Sequence, residues 1–459
     1  MSSTRRQFLA TSAGAAAAGL CAPYFFTAAS AQQAQSAADR PLVGCIGNGP
    51  MGMGDARAIA RFGDIVAVCD VDRSRAEKAA ADEKVGKGKA QVYDDYRALL
   101  DRKDLQIVTI STPDHWHSRI AIAAMKAGKD VYCQKPLTLT IDEGKKLCQV
   151  LRETKRVFQV GTQQRSENNN MFLKAVAMVQ GGRLGQVRRV TACIGEAPAG
   201  GPFEKIAPPP ELNWDMWLGQ APKVDYIKER CHYTFRWWYE YSGGKMTDWG
   251  AHHVDIAQWA VGMQDSGPVS IEPVSATLPQ ELKAGMPTKD DCYNTPTNFQ
   301  VRCRYANGVE LLIVDAFLPE QLRDEIRTKD KDGSYKKDNG ILFEGEKSWL
   351  FVSRGKLVGP AVDELQNNPI PDETLIKLRH GKPLGSHMEN LILCTRDRGL
   401  PVSDLPTHHR SMTVCHLANI AIRLGRKLTW DPQTEQIVGD AQANAWQSRP
   451  QRKGFEVEA

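Results

Sequence analysis

The chain from Pro41 onward first alternates short apolar runs with amphipathic segments. The apolar runs have the length and composition of buried strands and cover residues 42–46, 65–69, 106–111, 130–133 and 156–161. The segments between them follow helical periodicity over residues 55–62, 74–83, 93–100, 118–127 and 141–154. Strands that alternate with helices are typical of a doubly wound parallel sheet, so the pattern predicts an α/β Rossmann domain over residues 41–161.

The pattern changes after Gly161, where longer runs alternate apolar and polar positions. Asn307-Gly308 separates two of these runs and is typical of a β-hairpin turn. The sequence therefore predicts an α+β domain over residues 162–459 with a mostly antiparallel, open sheet and long helices at 173–180, 248–261 and 407–424. We expect this domain to bind substrate and, through the open sheet face, to form homodimers or homotetramers.

The first residues of the chain have the pattern of an export signal. Arg5-Arg6 precede an alanine-rich, weakly apolar stretch, and Ala29-Ser30-Ala31 has the small-x-small form of a cleavage site. This order predicts a twin-arginine signal peptide over residues 1–31, followed by a polar linker over residues 32–40. Such proteins are exported already folded, so we expect a periplasmic or otherwise exported protein that can carry a preloaded cofactor and has no stable membrane span after cleavage.

Composition excludes several function classes. Removing Arg5 and Arg6 from the 59 basic residues of the 459-residue chain leaves 57 against 54 acidic ones. This near balance, without a basic stripe, argues against nucleic-acid binding. The cysteines are dispersed and contain no Cys-x-x-Cys pair, so the sequence predicts no metal site.

A glycine-rich turn follows the first predicted strand. Gly47, Gly49 and Gly52 have the Gly-x-Gly-x-x-Gly spacing of a dinucleotide-binding turn, and Met51 lies within the same turn. Asp70 ends the next strand, about 20 residues on, where a carboxylate accepts hydrogen bonds from the adenosine ribose. An acid at this position repels a 2′-phosphate, so the cofactor is predicted to be NAD, with NADP possible because Arg73 is close by in the sequence.

Two later loops lie at the carboxyl ends of predicted parallel strands, where ligands bind such sheets. Thr112 and Gln134 in these loops are candidate cofactor contacts. Lys135, which precedes Pro136, is placed to hydrogen-bond a substrate hydroxyl beside a bound nicotinamide. A lone lysine would be more simply interpreted as a solvated loop residue.

A third segment adds a carboxylate and an imidazole. Asp248 and His252 are four residues apart and therefore lie on one face of the predicted helix. A histidine is suited to accept a hydroxyl proton near neutral pH while hydride leaves the carbon, and Asp248 would orient it. Taken singly, His252 is more often a core or capping residue and Asp248 an N-terminal helix acid.

Candidate substrate contacts are less specific. Trp238 and Tyr239 lie in an aromatic run, and aromatic faces pack against the C–H faces of sugars, although a packed core or a subunit interface explains the run equally well. Gln163 and Arg165 follow the last strand of the first domain, and His253 follows the candidate base.

The glycine turn, the lysine-proline turn and the Asp-x-x-x-His helix together resemble the Gfo/Idh/MocA family of NAD(P)-dependent sugar and polyol oxidoreductases, over essentially the whole mature chain. The resemblance implies that Lys135, Asp248 and His252 form the catalytic group and that the nicotinamide stacks near Pro113 and His117. It also implies dimers or tetramers. One residue departs from the family, because Gln134 replaces the usual glutamate before the lysine.

Three functions follow from these observations. The leading one is an exported NAD-dependent oxidoreductase that acts on a hydroxyl of a sugar, sugar derivative or polyol, with a retained and internally recycled cofactor. The second is an NAD-dependent glycosidase that works by transient oxidation, elimination and water addition, which would also regenerate its own cofactor. The third is a non-catalytic sugar-binding protein.

Overall fold

The computed structural model describes residues 40–329 and 339–459, so the predicted signal peptide and all but the last residue of the predicted linker lie outside it. Residues Pro41–Ala459 form one compact unit. Its first half contains a six-stranded sheet, all parallel, in the order β3-β2-β1-β4-β5-β6. The strands are β1 Leu42–Ile46, β2 Asp64–Cys69, β3 Gln91–Tyr93, β4 Ile107–Ile110, β5 Asp130–Cys133 and β6 Phe158–Val160.

Five helices connect these strands, and this confirms the doubly wound α/β prediction. They are α1 Pro50–Ile59, α2 Arg73–Ala81, α3 Tyr96–Leu100, α4 Asp114–Lys126 and α5 Ile141–Thr154. The first helix begins five residues earlier than predicted, because Pro50 is at its first position, where a missing N–H costs no hydrogen bond. The predicted helix over 93–100 was too long at its start, since Tyr93 ends the short strand β3, which the apolar pattern did not indicate.

The second half is built on a nine-stranded sheet in the order β15-β14-β13-β7-β12-β11-β8-β16-β17. Only the β7–β12 pairing is parallel, which confirms a mostly antiparallel sheet. Strands β11 and β12 form the hairpin predicted at Asn307-Gly308. The strands of this sheet are β7 Val187–Cys193, β8 Pro268–Thr277, β11 Asn298–Tyr305, β12 Glu310–Val314, β13 Gly340–Gly345, β14 Trp349–Val352, β15 Leu357–Val358, β16 Leu428–Asp431 and β17 Gln436–Val438; a separate two-stranded pair is formed by β9 Leu282–Lys283 and β10 Met286–Pro287.

The helices of the second half are α6 Met171–Gln180, α7 Trp214–Leu218, α8 Gly244–Asp248, α9 Gly250–Ala260, α10 Pro360–Asp363, α11 Asp372–Leu378, α12 His387–Asp397, α13 Leu405–Leu424 and α14 Ala441–Ala445. Helix α9 packs against α6 and α13, with the sheet beneath it. The single helix predicted over 248–261 was wrong at its start, because Trp249 separates α8 from α9.

Two further observations bear on the sequence predictions. The ten cysteines after the predicted signal are all free, and Cys148 is the one among them that is not fully buried. In the part of the chain that the structure describes, no helix is long and apolar enough to cross a membrane.

Candidate active site

A cavity of about 290 Å³ opens at the carboxyl edge of the parallel sheet. This is where the strand order reverses, between β1 and β4, and such a switch point is the usual ligand site of an open α/β sheet. Residues 211–236 of the second half, here called the roof segment, cover the cavity from the other side. The roof segment contributes Leu212, Met216, Trp217, His232, Tyr233, Phe235 and Arg236 to the lining.

The glycine turn brings backbone to the cavity wall. Gly47 has a φ of +85°, which favours glycine, and a Cβ on Gly52 would lie 1.9 Å from the Gly47 carbonyl oxygen. A Cβ on Gly49 would meet only the side chain of Arg75, at 2.9 Å. The turn therefore packs tightly against the protein at Gly47 and Gly52, whereas Gly49 leaves the backbone open toward the cavity. This opening lies at the N-terminus of α1, and helix N-termini bind phosphate groups.

The polar groups of this wall fit a dinucleotide. Asp70 lines the cavity, and its carboxylate accepts hydrogen bonds from the backbone N–H groups of Asn48 (2.7 Å) and Asp72 (3.0 Å). Those two bonds fix the carboxylate where a ribose would lie. The hydroxyl Oγ1 of Thr112, also at the cavity wall, is buried without a partner in the described structure. A buried hydroxyl without a partner is costly, and a bound ligand would satisfy it.

The other predicted cofactor contacts divide into two groups. Met51, Pro113 and Gln134 line the cavity, and Met51 is 49% exposed there. His117 is buried beneath the wall, with one ring nitrogen 2.7 Å from the Pro136 carbonyl oxygen and the other 2.9 Å from that of Thr112. His117 thus links the loop that contains Thr112 to the loop that contains Pro136. It influences the cofactor by holding these loops in place, without lining the cavity itself.

Gln134 has a partner that the sequence did not indicate. Its amide donates to both carboxylate oxygens of Asp55 (3.0 and 2.9 Å), and Ser111 donates to the same carboxylate (2.8 Å). Burial raises the pKa of Asp55 to about 6, against the opposing effect of these hydrogen bonds. A glutamate at position 134 would face this carboxylate, which gives a physical reason for glutamine in this chain.

Lys135 lines the cavity and contacts Asp248, which is buried and, like His252, is not among the lining residues. The ammonium of Lys135 contacts Asp248 Oδ1 and donates to the Asp248 carbonyl (3.2 Å). Arg236 of the roof segment lies 3.4 Å from the same carboxylate oxygen. Burial alone would raise the pKa of Asp248, but Lys135 and Arg236 outweigh it and lower that pKa to about 2. Asp248 is therefore ionised, and it positions Lys135 rather than His252.

His252 lies on the first turns of α9, next to this ion pair. Its side chain is buried, and Nδ1 makes no hydrogen bond in the described structure. Burial, reinforced by the positive charges of Lys135 and Arg354, lowers the pKa of His252 well below its usual value. The imidazole is thus neutral at physiological pH and able to accept a proton.

A buried ion pair between Arg165 and Asp255 holds α9 in place. Arg165 donates to both carboxylate oxygens of Asp255, each at 2.7 Å, and its guanidinium lies 4.6 Å from the Trp259 ring centroid. Both side chains are buried. The structure thus gives Arg165, predicted as a substrate contact, a positioning role, since Asp255 is almost one helical turn from His252.

The other predicted substrate contacts also have partners within the protein. Trp238 is completely buried and donates to the Glu229 carbonyl (2.8 Å), while Tyr239 is buried against Asn419. This matches the packed-core interpretation of the aromatic run. Gln163 donates to the Tyr132 hydroxyl (3.0 Å), and His253 contacts Asn339. None of the four is among the residues that line the cavity.

Asp114 is a charged cavity residue that sequence reasoning did not single out. It is buried, accepts a hydrogen bond from Ser242 and lies near Lys135, Arg236 and Asp248. Burial raises its pKa to about 7, against the lowering effect of Ser242 and Arg236. Its position directly after Pro113, at the start of α4, was the available signal.

Two family models match most of the chain. The model described as an oxidoreductase family NAD-binding Rossmann fold matches residues 42–162, and the model for the family's C-terminal alpha/beta domain matches residues 202–314 and 367–457. The chain belongs to the Gfo/Idh/MocA oxidoreductase family, and its cofactor is NAD.

One curated relative shares part of the sequence, and two solved structures share the fold. Inositol 2-dehydrogenase of Salmonella typhimurium strain LT2 is 31% identical over 147 residues, which are 31% of this chain and 42% of that protein. This chain thus spans less than half the length of that curated relative. The WlbA dehydrogenase of Bordetella pertussis, solved with NADH and UDP-GlcNAcA, superposes with a TM-score of 0.57 at 19% identity, over 85% of this chain and 98% of that one. The aldose-aldose oxidoreductase of Caulobacter crescentus, solved with glycerol, gives 0.56 at 16% identity, over 85% and 99%.

Proposed function

We propose that this protein is an exported NAD-dependent oxidoreductase that acts on a hydroxyl of a sugar, sugar derivative or polyol and keeps its cofactor bound. The observation that carries the proposal is that Lys135, which lines a cavity with the polar groups for a dinucleotide, contacts ionised Asp248, one helical turn from neutral His252. When bound, the nicotinamide supplies the acceptor for the hydride.

The protein side chains move the proton. A substrate hydroxyl placed between Lys135 and His252 would receive a hydrogen bond from the lysine ammonium and give its proton to the imidazole. Lys135 stabilises the negative charge that develops on the oxygen, and Asp248 keeps the ammonium in position. His252 is suited to this step because burial and the surrounding cations keep it unprotonated.

The roof segment supports cofactor retention. It is tied to the edge of the parallel sheet by two backbone hydrogen bonds, from Asn213 to the Val71 carbonyl and from Arg73 to the Glu211 carbonyl, both 2.9 Å. Further along, the Trp116 indole donates to the Trp217 carbonyl (2.9 Å). A cofactor in the cavity would lie between the sheet edge and this segment, so its release requires these contacts to open.

Retention matters because of the predicted signal. A protein exported in the folded state would leave the cytoplasmic NAD pool behind, so repeated turnover needs a reaction that returns the hydride. Oxidation of one sugar coupled to reduction of another does so, and the fold neighbour from Caulobacter crescentus is named for such a pairing. We propose the same closed cycle here, in the periplasm or another exported compartment.

A direct test uses protein purified from the exported fraction. It is mixed with pairs of sugars, sugar acids and polyols without added NAD, and products are identified by mass spectrometry. The proposal expects one partner oxidised and the other reduced in equal amounts, with a transient absorbance of reduced nicotinamide. Turnover that occurs only when free NAD is supplied would contradict the retained cofactor.

The same roofed cavity suits a second candidate, the NAD-dependent glycosidase, since that cycle also returns its hydride. Chromogenic glycosides separate the two. Release of the aglycone without added NAD identifies the glycosidase, whereas equal oxidation and reduction of two free sugars identifies the oxidoreductase. Retained NAD with no chemistry on either panel would favour the sugar-binding protein.

We also propose that the open sheet face joins copies of the chain into a dimer or tetramer. Along β11, Phe299, Val301 and Cys303 point into the core, whereas Gln300 and Arg302 alternate with them on the other face. A polar, regular sheet face of this kind can pair with a second copy. Light scattering that gives a monomer mass at micromolar concentration would contradict this.

A further inference from the structure

Two cations beside the reaction site have no anionic partner. Lys245 lies in α8 and Arg354 follows β14, and neither side chain makes a hydrogen bond or an ion pair within the residues that the structure describes. By contrast, Lys135 and Arg236 both contact the carboxylate of Asp248. The carboxylate of Asp248 is thus already shared by two cations.

Both unpaired cations are held against one aromatic ring. The ammonium of Lys245 lies 5.8 Å from the Trp249 ring centroid, and the guanidinium of Arg354 lies 4.6 Å from it. Trp249 is the residue between Asp248 and α9, and its ring centroid is 5.9 Å from that of His252. Trp249 therefore holds both positive groups, and the field of Arg354 acts on His252 whereas that of Lys245 acts on Asp248.

Partial burial disfavours the free positive charge of Lys245. Lys245 is half-buried, and burial lowers its pKa, with Lys135 and Arg236 acting in the same direction against Asp248. Its methylene chain packs on Gly195, where a Cβ would lie 3.2 Å from Cε. Arg354 is exposed, so it is open to a molecule that arrives from solvent. A partly desolvated lysine beside an accessible arginine favours a negatively charged ligand.

We propose that the substrate is an anionic sugar, whose carboxylate binds Lys245 and Arg354 while one of its hydroxyls lies between Lys135 and His252. This rests on the proposed function and specifies its substrate class as a sugar acid. A guanidinium matches the two oxygens of a carboxylate, and the lysine adds a second charge to the same group. The neutral part of the substrate would extend toward Asp248 and the cofactor cavity.

The test compares matched substrates on cofactor-loaded, full-length mature protein. A hexuronate, the corresponding neutral hexose and the hexose 6-phosphate are assayed by the reduced-nicotinamide absorbance in single turnover. We expect kcat/KM to be highest for the hexuronate, by about tenfold to a hundredfold, which is the usual effect of a charged hydrogen bond. A preference for the neutral hexose overturns the anionic substrate, and a preference for the phosphate overturns the carboxylate.

Two single variants test whether Arg354 and Lys245 cause the preference for the hexuronate. Arg354→Gln and Lys245→Gln should each raise KM for the hexuronate about tenfold or more, with a smaller change in kcat and little change for the neutral hexose. Arg426→Gln is the control, because Arg426 is a surface arginine outside the sheet strands that pairs with Asp440. Equal losses on acid and neutral sugars would overturn the inference, since they indicate a general structural effect.

Binding separates this inference from the proposed function. Calorimetric titration of the NAD-loaded protein with the hexuronate needs no turnover. If no sugar is oxidised or reduced but the hexuronate binds and Arg354→Gln weakens it about tenfold, the proposed function fails and the anion site stands. If neutral sugars are turned over and the hexuronate neither binds nor reacts, the function stands and the anion site fails.

Discussion

The cofactor region and the reaction region of the same cavity are built in different ways. The cofactor region is backbone from short local segments, with the turn at Gly47, Gly49 and Gly52 and the N–H groups that hold Asp70. The reaction region is a set of charged side chains brought together over long distances, since Lys135 and Asp248 are 113 residues apart. Cofactor binding therefore depends on the steric fit of the backbone, whereas the proposed proton transfer depends on the charge of the side chains.

The largest effect should come from removing the reacting lysine. Lys135→Ala should lower the hydride-transfer rate about 10³-fold, because proton and charge stabilisation by such a group accounts for about 10² to 10⁴ in rate. Bound NAD should be unchanged, since the cofactor region is backbone. Single-turnover kinetics and quantification of released NAD measure the two separately.

The control for this variant is Lys205→Ala, which removes an exposed lysine that pairs with Asp290 at 2.9 Å, outside the roof segment. It should leave both quantities as they are. Full hydride transfer in Lys135→Ala would show that the lysine takes no part in the reaction. Loss of bound NAD together with activity would show that the lysine also holds the cofactor, which contradicts the division into two regions.

A change in the cofactor region should give the opposite pattern. Gly52→Ala would place a Cβ 1.9 Å from the Gly47 carbonyl oxygen, so the turn must shift. We expect a loss of about 3 kcal/mol in the free energy of unfolding and of most of the bound NAD, as for other overpacked buried positions. Denaturant unfolding and NAD content are the measurements.

The matched control is Gly54→Ala in the same helix, where a Cβ meets nothing within 4 Å. Alanine has a higher helix propensity than glycine, so this variant should be as stable as the parent protein or up to about 1 kcal/mol more stable. Equal losses in both variants would show that backbone fit at the turn is not the cause.

The Gln134–Asp55 pair lies where the two regions join. Gln134→Glu would bring a second carboxylate within about 3 Å of Asp55, as the present hydrogen bonds show. We expect it to destabilise the fold by about 2 kcal/mol or more at pH 8, because a buried like-charge pair forces one group to remain protonated.

Asp55→Asn in the same chain should recover most of that loss. Unfolding free energies of the parent, the two single variants and the double variant form the cycle. Additive effects would mean that the two residues are not coupled, and the account of glutamine at this position would be wrong.

A further prediction concerns pH. Asp114 has a folded-state pKa of about 7, raised by burial, whereas an unfolded aspartate titrates near 4. Between these values the folded state keeps a proton that the unfolded state releases, so stability falls as pH rises, by up to about 1.4 kcal/mol per unit. Asp114→Asn should flatten the dependence of unfolding free energy on pH between about 4 and 7. Parallel curves for the variant and the parent protein would contradict this, and Asp215→Asn, an exposed carboxyl, is the control.

Most of the fold could be predicted from the sequence. The strand at 130–133 and the helix at 141–154 have the bounds expected from their apolar periodicity. Strand β3 was missed because it is three residues long and partly exposed, and so carries little apolar signal. The break at Trp249 was missed because nothing in local periodicity distinguishes two abutting helices from one.

The candidate site was predictable only where a short motif defines it. The glycine turn and Lys135 follow from local pattern, but the partners of Lys135 and Gln134 are set by packing between distant segments. Trp238 and Arg165 were assigned to substrate because their side chains suit sugar binding, yet both are buried against other parts of the protein. Asp55 and Arg354 belong to no motif, so only the folded chain shows their place, whereas Asp114 could have been found from its position after Pro113.

The most direct test of the central claim is what the protein carries when it is isolated. Protein purified from the exported fraction, washed extensively and then denatured, is analysed by mass spectrometry for released small molecules. The account predicts NAD in a stoichiometric amount, in the parent protein and in Lys135→Ala alike. Exported protein that is folded and free of nicotinamide would contradict it.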